Sequence, residues 1–151
     1  MVWKPHVTVA AVIERDQRFL FVEEHTPSGL QFNQPAGHLD PNEDFITAVK
    51  REVYEETAWQ FEPEYLVAIQ LWRKDPQHPT FLRLCFAGQC HSHEADKVLD
   101  DGIVATHWLS RDEIAAESHR LRSPLVLLSV DEYFNGQRYP LSLLKSFLDY
   151  E

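Results

Sequence analysis

A chain of 151 residues with 44% hydrophobic and 25% charged side chains carries enough apolar material for one packed domain and too much for a disordered segment. Its 24 acidic against 14 basic residues leave a net charge of −10, which disfavours a nucleic-acid polymer or an anionic membrane surface as partner and leaves small metal-bound phosphates open. Met1-Val-Trp-Lys-Pro-His6 turns polar at once and no apolar run approaches the roughly 20 residues that span a bilayer, so a cytoplasmic protein is expected.

The chain begins as an antiparallel hairpin, with His6 to Ile13 as one strand, Arg15-Asp-Gln17 as the turn and Phe19 to Val22 returning. Pro27-Ser-Gly29 breaks the chain, and Leu30 to Ala36 leads on as an irregular strand whose end is marked by Pro35. Asp40-Pro-Asn42 predicts a turn and Asp44 a helix N-cap. In the helix that follows, Phe45, Ile46, Ala48, Val49 and Val53 recur at three- and four-residue steps, so one face is buried.

The last turns of that helix are electrostatically unfavourable. At 100° per residue Glu52, Glu55 and Glu56 fall within a sector of about 100°, so their carboxylates repel. They also stand at the negative end of the helix dipole, where each anion costs about a few tenths of a kcal/mol. A hard divalent cation removes the conflict, because such ions take carboxylate oxygens. For three glutamates alone, a solvated acidic face softened by Arg51 reaching Glu55 at i+4 is the commoner explanation.

The wider spacing changes that balance. A glycine is followed after five residues by glutamate, after seven more by Arg-Glu, then by an aliphatic residue, a variable one and Glu-Glu. At Gly37, Glu43, Arg51, Glu52, Val53, Glu55, Glu56 and Trp59 the sequence resembles the Nudix box. It departs at Ala58, where the box has a glycine that ends the helix in a left-handed conformation, and alanine there costs about 1 kcal/mol.

The resemblance implies an α/β Nudix fold, a mixed β-sheet sandwiched between α-helices, over a single domain. It also implies hydrolysis of a small phosphoanhydride with Mg²⁺, or Mn²⁺ in its place. Carried over from the box, Glu52 and Glu56 are metal ligands, Glu55 is a ligand or lies next to one, and Gly37 offers its carbonyl. Arg51 and Glu43 are the orienting pair.

Further along, Tyr65 to Trp72 and Thr80 to Ala87 read as strands joined by the polar segment Arg73 to Pro79. Arg73, Lys74 and Arg83 are candidate phosphate contacts, and Trp72, Phe81 and Phe86 candidate walls of a ring pocket, each weighed against solvent or core as its ordinary place. Cys90-His-Ser-His93 lies close to Cys85, but paired zinc-ligand spacing is absent, so a polar loop and two reduced thiols are expected. Glu94 to Asp101 is an acidic loop in which Asp100 and Asp101 are candidates for a general base or outer metal ligand, against a solvated turn.

Ile103 to Leu109 is a strand, Ser110-Arg-Asp-Glu113 a capping box starting a helix to about Ser118, and Ser123-Pro124 the start of another ended by Gly136. Leu141 to Leu148 is expected to close the domain as a helix.

Pro5-His-Val-Thr-Val-Ala, Asn33-Gln-Pro-Ala-Gly-His, Phe81-Leu-Arg, Leu121-Arg-Ser-Pro-Leu-Val and Gly136-Gln-Arg-Tyr-Pro-Leu are similar to a bacterial phosphatase branch of the Nudix family. That likeness implies activity on nucleoside di- and triphosphates and on the thiamine-precursor pyrimidine diphosphate, with orthophosphate as the main product. Cleavage of ADP-ribose or a dinucleoside polyphosphate, and a nucleotide-binding domain without catalysis, are the alternatives. The oligomeric state, monomer or homodimer, is left open.

Overall fold

The computed structural model describes residues 1–149. The hairpin forms as expected. Strands β1 (His6–Arg15) and β2 (Arg18–Thr26) are joined by Asp16 and Gln17 at φ 53° and 63°, the pair of positive angles that a two-residue primed turn requires. The two strands pair only at Glu14↔Phe19 and Arg15↔Arg18 before parting. From there β1 lies parallel to β6 (Phe81–His93) and antiparallel to β4 (Ala36–His38), while β2 takes β3 (Gly29–Asn33) and β7 (Ile103–Ser110). With β5 (Trp59–Trp72) and β8 (Tyr139–Pro140), the described residues form a mixed eight-stranded sheet whose main order is β3-β2-β1-β6-β5-β8.

Helix α1 (Phe45–Thr57) forms where its apolar spacing places it, and the Asp44 carboxylate accepts the Thr47 N–H at 2.8 Å as N-cap. Ala58 ends it at φ 63°, its N–H donating to the Tyr54 carbonyl at 2.9 Å, so this alanine holds the left-handed position that suits glycine. Alternation along β1 then divides the core. Val9, Ala11 and Ile13 pack with Val49, Val53 and Phe86 on the α1 side; Val12 packs with Phe19, Phe21 and Val126 beneath α3 (Leu125–Phe134) on the other. Each fully buried side chain of this size contributes about 1.5–3 kcal/mol.

Two expected boundaries and one expected helix are corrected. Strand β5 begins at Trp59 rather than Tyr65, and β6 runs to His93 rather than Ala87. Cys90-His-Ser-His93 is therefore strand, paired through Phe61↔Cys90, Gln60↔His91 and Trp59↔His93, and not a polar loop. Pro63 hides the pattern: it interrupts an alternation of Trp59 and Phe61 with polar residues and sits at a register irregularity, where a strand tolerates proline. Both cysteines are free and buried. Leu141 to Leu148 is not a helix. Only Leu141–Leu143 forms a 3-10 turn; Leu141 and Leu144 rest on the core, while Phe147 and Leu148 stay 64% and 54% exposed. So short a segment does not repay helix nucleation without a whole face to bury.

The capping box is present: the Ser110 hydroxyl accepts from Glu113 N at 3.2 Å and the Glu113 carboxylate from Ser110 N at 3.1 Å, starting α2 (Arg111–Ala116). Gly136, at φ 81°, lies just beyond α3. No described helix is long and apolar enough to cross a membrane.

Candidate active site

Strand β4 pairs beside β1, with Gly37 opposite Val9, and packs against α1, which brings the glycine against the Glu52 carboxylate. A Cβ on Gly37 would collide with the Glu52 carboxyl group, so any larger residue there would push that carboxylate out of its place. Glu52 and Glu56 are only 8% and 7% exposed. Glu56 accepts the Ala36 N–H at 2.8 Å, and burial, with Glu24 and Glu52 nearby, pushes its carboxyl up to about 9. Burial raises Glu52 to about 7 against the opposing pull of Arg51.

Arg51 ties the centre together. Its Nε and Nη2 donate to the two Glu43 oxygens at 3.0 and 2.7 Å, Nη1 to Glu52 at 2.8 Å and Glu55 at 3.1 Å, and Nη2 also to the His38 carbonyl at 3.0 Å. The two-pronged contact with Arg51 holds Glu43 below the usual carboxylate range, and Glu43 in turn accepts the Asp40 N–H at 2.7 Å.

Glu52, Glu55 and Asp100 each offer an oxygen, the three lying within 4.8 Å of one another. Asp100 reaches them because its N–H donates to the Glu55 carbonyl at 3.0 Å, satisfying a carbonyl of the helix's last turn. The donor set is entirely oxygen, which suits a hard divalent ion rather than zinc or copper.

A row of rings stands at one end of the sheet. Trp72 stacks on Phe81 with centroids 6.2 Å apart and planes at 29°, Phe81 meets His6 edge-on at 5.3 Å, and His6 Nδ1 lies 3.1 Å from His38 Nε2. Burial, then His6, pulls His38 below the ordinary imidazole value.

The match to known proteins is extensive. The model of the NUDIX domain covers residues 4–128. The chain belongs to the Nudix family. Phosphatase NudJ from Escherichia coli strain K12 is 39% identical over 145 residues, 96% of this chain and 94% of that one. A NUDIX hydrolase from Nitrosomonas europaea superposes with a TM-score of 0.93 at 47% identity, over 95% of this chain and 98% of that one. An ADP-ribose pyrophosphatase from Streptococcus suis shares the fold, with a TM-score of 0.67 at 19% identity over 90% and 96% of the two chains.

Within this Nudix chain the residues singled out from sequence are not all brought together. Gly37, Glu43, Arg51, Glu52, Glu55 and Glu56 converge; Asp100 joins them, whereas Asp101 is exposed and lies outside the group. Arg83 is not an open phosphate contact: at 6% exposure its guanidinium donates to Gln34 at 2.7 Å, Ser129 at 3.0 Å, Gln70 at 3.1 Å and Asn33 at 3.5 Å. Phe86 is fully buried in the α1-side core and walls no pocket. Trp72 is half-buried, and Arg73 and Lys74 are exposed on the segment after β5. Residue spacing does not single out His6, His38 or Glu24, which the fold brings beside these groups. Glu24 lies on β2 near Glu56, with Arg122 3.5 Å away. Only the pairing register of distant strands assembles these neighbours, and residue spacing does not encode it.

Proposed function

We propose that this Nudix hydrolase is a phosphatase of small phosphoanhydrides that works with Mg²⁺, Mn²⁺ serving in its place. Glu52, Glu55 and Glu56, with Asp100 and the Gly37 carbonyl, would hold the ion. Bound there, it would neutralise phosphate charge and lower the pKa of a water molecule. The observation that carries the reading is the convergence of buried Glu52 with half-buried Glu55 and the loop residue Asp100, with Gly37 close against the Glu52 carboxylate.

The chain's own residues do the rest. Arg51, clamped by Glu43, keeps Glu52 and Glu55 in fixed orientations so that no reorganisation is needed during turnover. Glu52 and Glu56, which retain protons to unusually high pH, would give them up on holding an ion. The face of Trp72 and Phe81 takes a planar ring, and Arg73 and Lys74 meet phosphate oxygens. Stacking tolerates different rings, so the substrates are several nucleoside di- and triphosphates and the pyrimidine diphosphate of thiamine synthesis, cleaved at the terminal phosphate with orthophosphate as the main product. The likeness to NudJ, whose name is that of a phosphatase, supports this over a pyrophosphatase reading. Residues 1–151 act as one domain in the cytoplasm, as monomer or homodimer.

The test is a panel of these compounds with Mg²⁺, separating orthophosphate from pyrophosphate. Cleavage confined to ADP-ribose or a dinucleoside polyphosphate would leave a Nudix hydrolase but remove the phosphatase assignment.

A further inference from the structure

The loop from Glu94 to Gly102 lies outside the strands and is mostly exposed, yet it carries Asp100 to within 4.8 Å of Glu52 and Glu55. Like charges at that separation repel, and an exposed loop with little packing swings away at small cost. Its persistence in the acidic centre therefore depends on anchors that act against the repulsion.

Those anchors sit on α1. Tyr54 lies about 200° round the helix from Glu52, away from the carboxylates. Its hydroxyl donates to Glu94 Oε2 at 2.7 Å, and the Lys97 ammonium lies 4.9 Å from its ring centroid. Glu94 N donates to the Ala58 carbonyl at 3.0 Å, Asp100 N to Glu55 at 3.0 Å, and the far end closes with His25 N on the Gly102 carbonyl at 2.8 Å. The left-handed turn at Ala58 thus faces its carbonyl to the loop, and Tyr54 fixes the first half of the loop so that the second half meets the helix.

We propose that Tyr54, through Glu94 and Lys97, is a positioning residue for Asp100, and that this latch sets how strongly the centre holds its ion. The inference rests on the proposed metal centre. It concerns a side chain that touches neither ion nor substrate, and its work is to hold the loop against carboxylate repulsion.

The experiment is a double-mutant cycle on the full chain, reading Mn²⁺ affinity by calorimetry on metal-free protein and kcat on the compound cleaved fastest in the panel. Tyr54→Phe removes one hydroxyl at a partly exposed site and leaves the ring in place. It is expected to weaken Mn²⁺ binding and lower kcat by about 10-fold each, the usual scale for a residue that orients a ligand, with KM and the melting temperature nearly unchanged. In an Asp100→Asn background the same change is expected to have no further effect, because the residue being positioned is gone. Wild-type affinity and kcat in Tyr54→Phe would overturn the proposal, as would an equal loss in both backgrounds. If Asp100→Asn alone behaves as wild type, the latch has nothing to position and the inference falls. The metal centre itself falls only if Glu56→Gln keeps full Mn²⁺ binding and turnover.

Discussion

Two buried charged groups, one on each face of the sheet, are treated in opposite ways. Arg83 is enclosed on the α3 side, where burial works against its charge, but every contact offered to it is an acceptor: Gln34, Gln70, Ser129 and, more distantly, Asn33. The acceptors are themselves tied down, Gln34 by donating to the Val126 carbonyl at 2.7 Å and Ser129 to the Leu125 carbonyl at 2.6 Å. Glu56, on the α1 side, has one donor from Ala36 and three carboxylates that repel it: Glu24, Glu52 and Asp100. A buried charge surrounded by acceptors is part of the architecture; one surrounded by like charges is relieved only by a proton or a cation.

The contrast is broken most severely at Glu56 or Glu52. Glu56→Gln or Glu52→Gln is expected to lower turnover at least about 100-fold while the fold survives, as loss of a metal ligand does. Steady-state rates beside a thermal melt check both halves.

Arg83→Leu is expected to do the reverse. It strands the oxygens of Gln34 and Gln70 in the interior and costs roughly 3 kcal/mol of stability. Protein that remains folded should keep its kcat, and denaturant titration beside activity at low temperature measures the split. A specific loss of kcat without loss of stability would move Arg83 back to the phosphates.

A smaller effect sharpens the comparison through pH. Glu52 and Glu56 hold protons up to about 7 and about 9 in the folded, metal-free chain, whereas unfolded glutamates lose theirs near 4.5. Between those values the folded state binds more protons than the unfolded one, so stability without metal should fall as pH rises from about 5 to 9. Mg²⁺ competes with those protons, and the rise in melting temperature it produces should be larger at pH 9 than at pH 6. An equal rise at both would show that these carboxyls do not meet the ion.

The least change is expected at Ala58. Glycine relieves its left-handed φ of 63° at a small entropic cost, so Ala58→Gly should leave activity unaltered and shift stability by no more than about 1 kcal/mol, towards stabilisation. Chemical denaturation resolves a shift of that size.

What the sequence disclosed was local. Asp44 as cap, the apolar stripe of α1, the three glutamates and the left-handed Ala58 all depend on neighbours within a few residues, and each is found in place. The burial of Arg83, the length of β5 and β6 and the choice of Asp100 over Asp101 depend on partners far along the chain. Arg83 reads as a surface cation until β6 is laid beside β1 and beneath α3. Asp100 and Asp101 are equal candidates in the sequence until the Asp100 N–H is found on the Glu55 carbonyl. The failed closing helix at Leu141 to Leu148 belongs to the same class, since its apolar spacing is present but Phe147 and Leu148 stay largely exposed.

The claim that the carboxylates of α1 form a metal centre is tested most directly by titrating metal-free protein with Mn²⁺ in a calorimeter, wild type beside Glu56→Gln, at a pH where Glu52 is ionised. Saturable binding to wild type is expected, weakened at least about 10-fold by the substitution. Titrations that superimpose, or no binding heat in either protein, would contradict it.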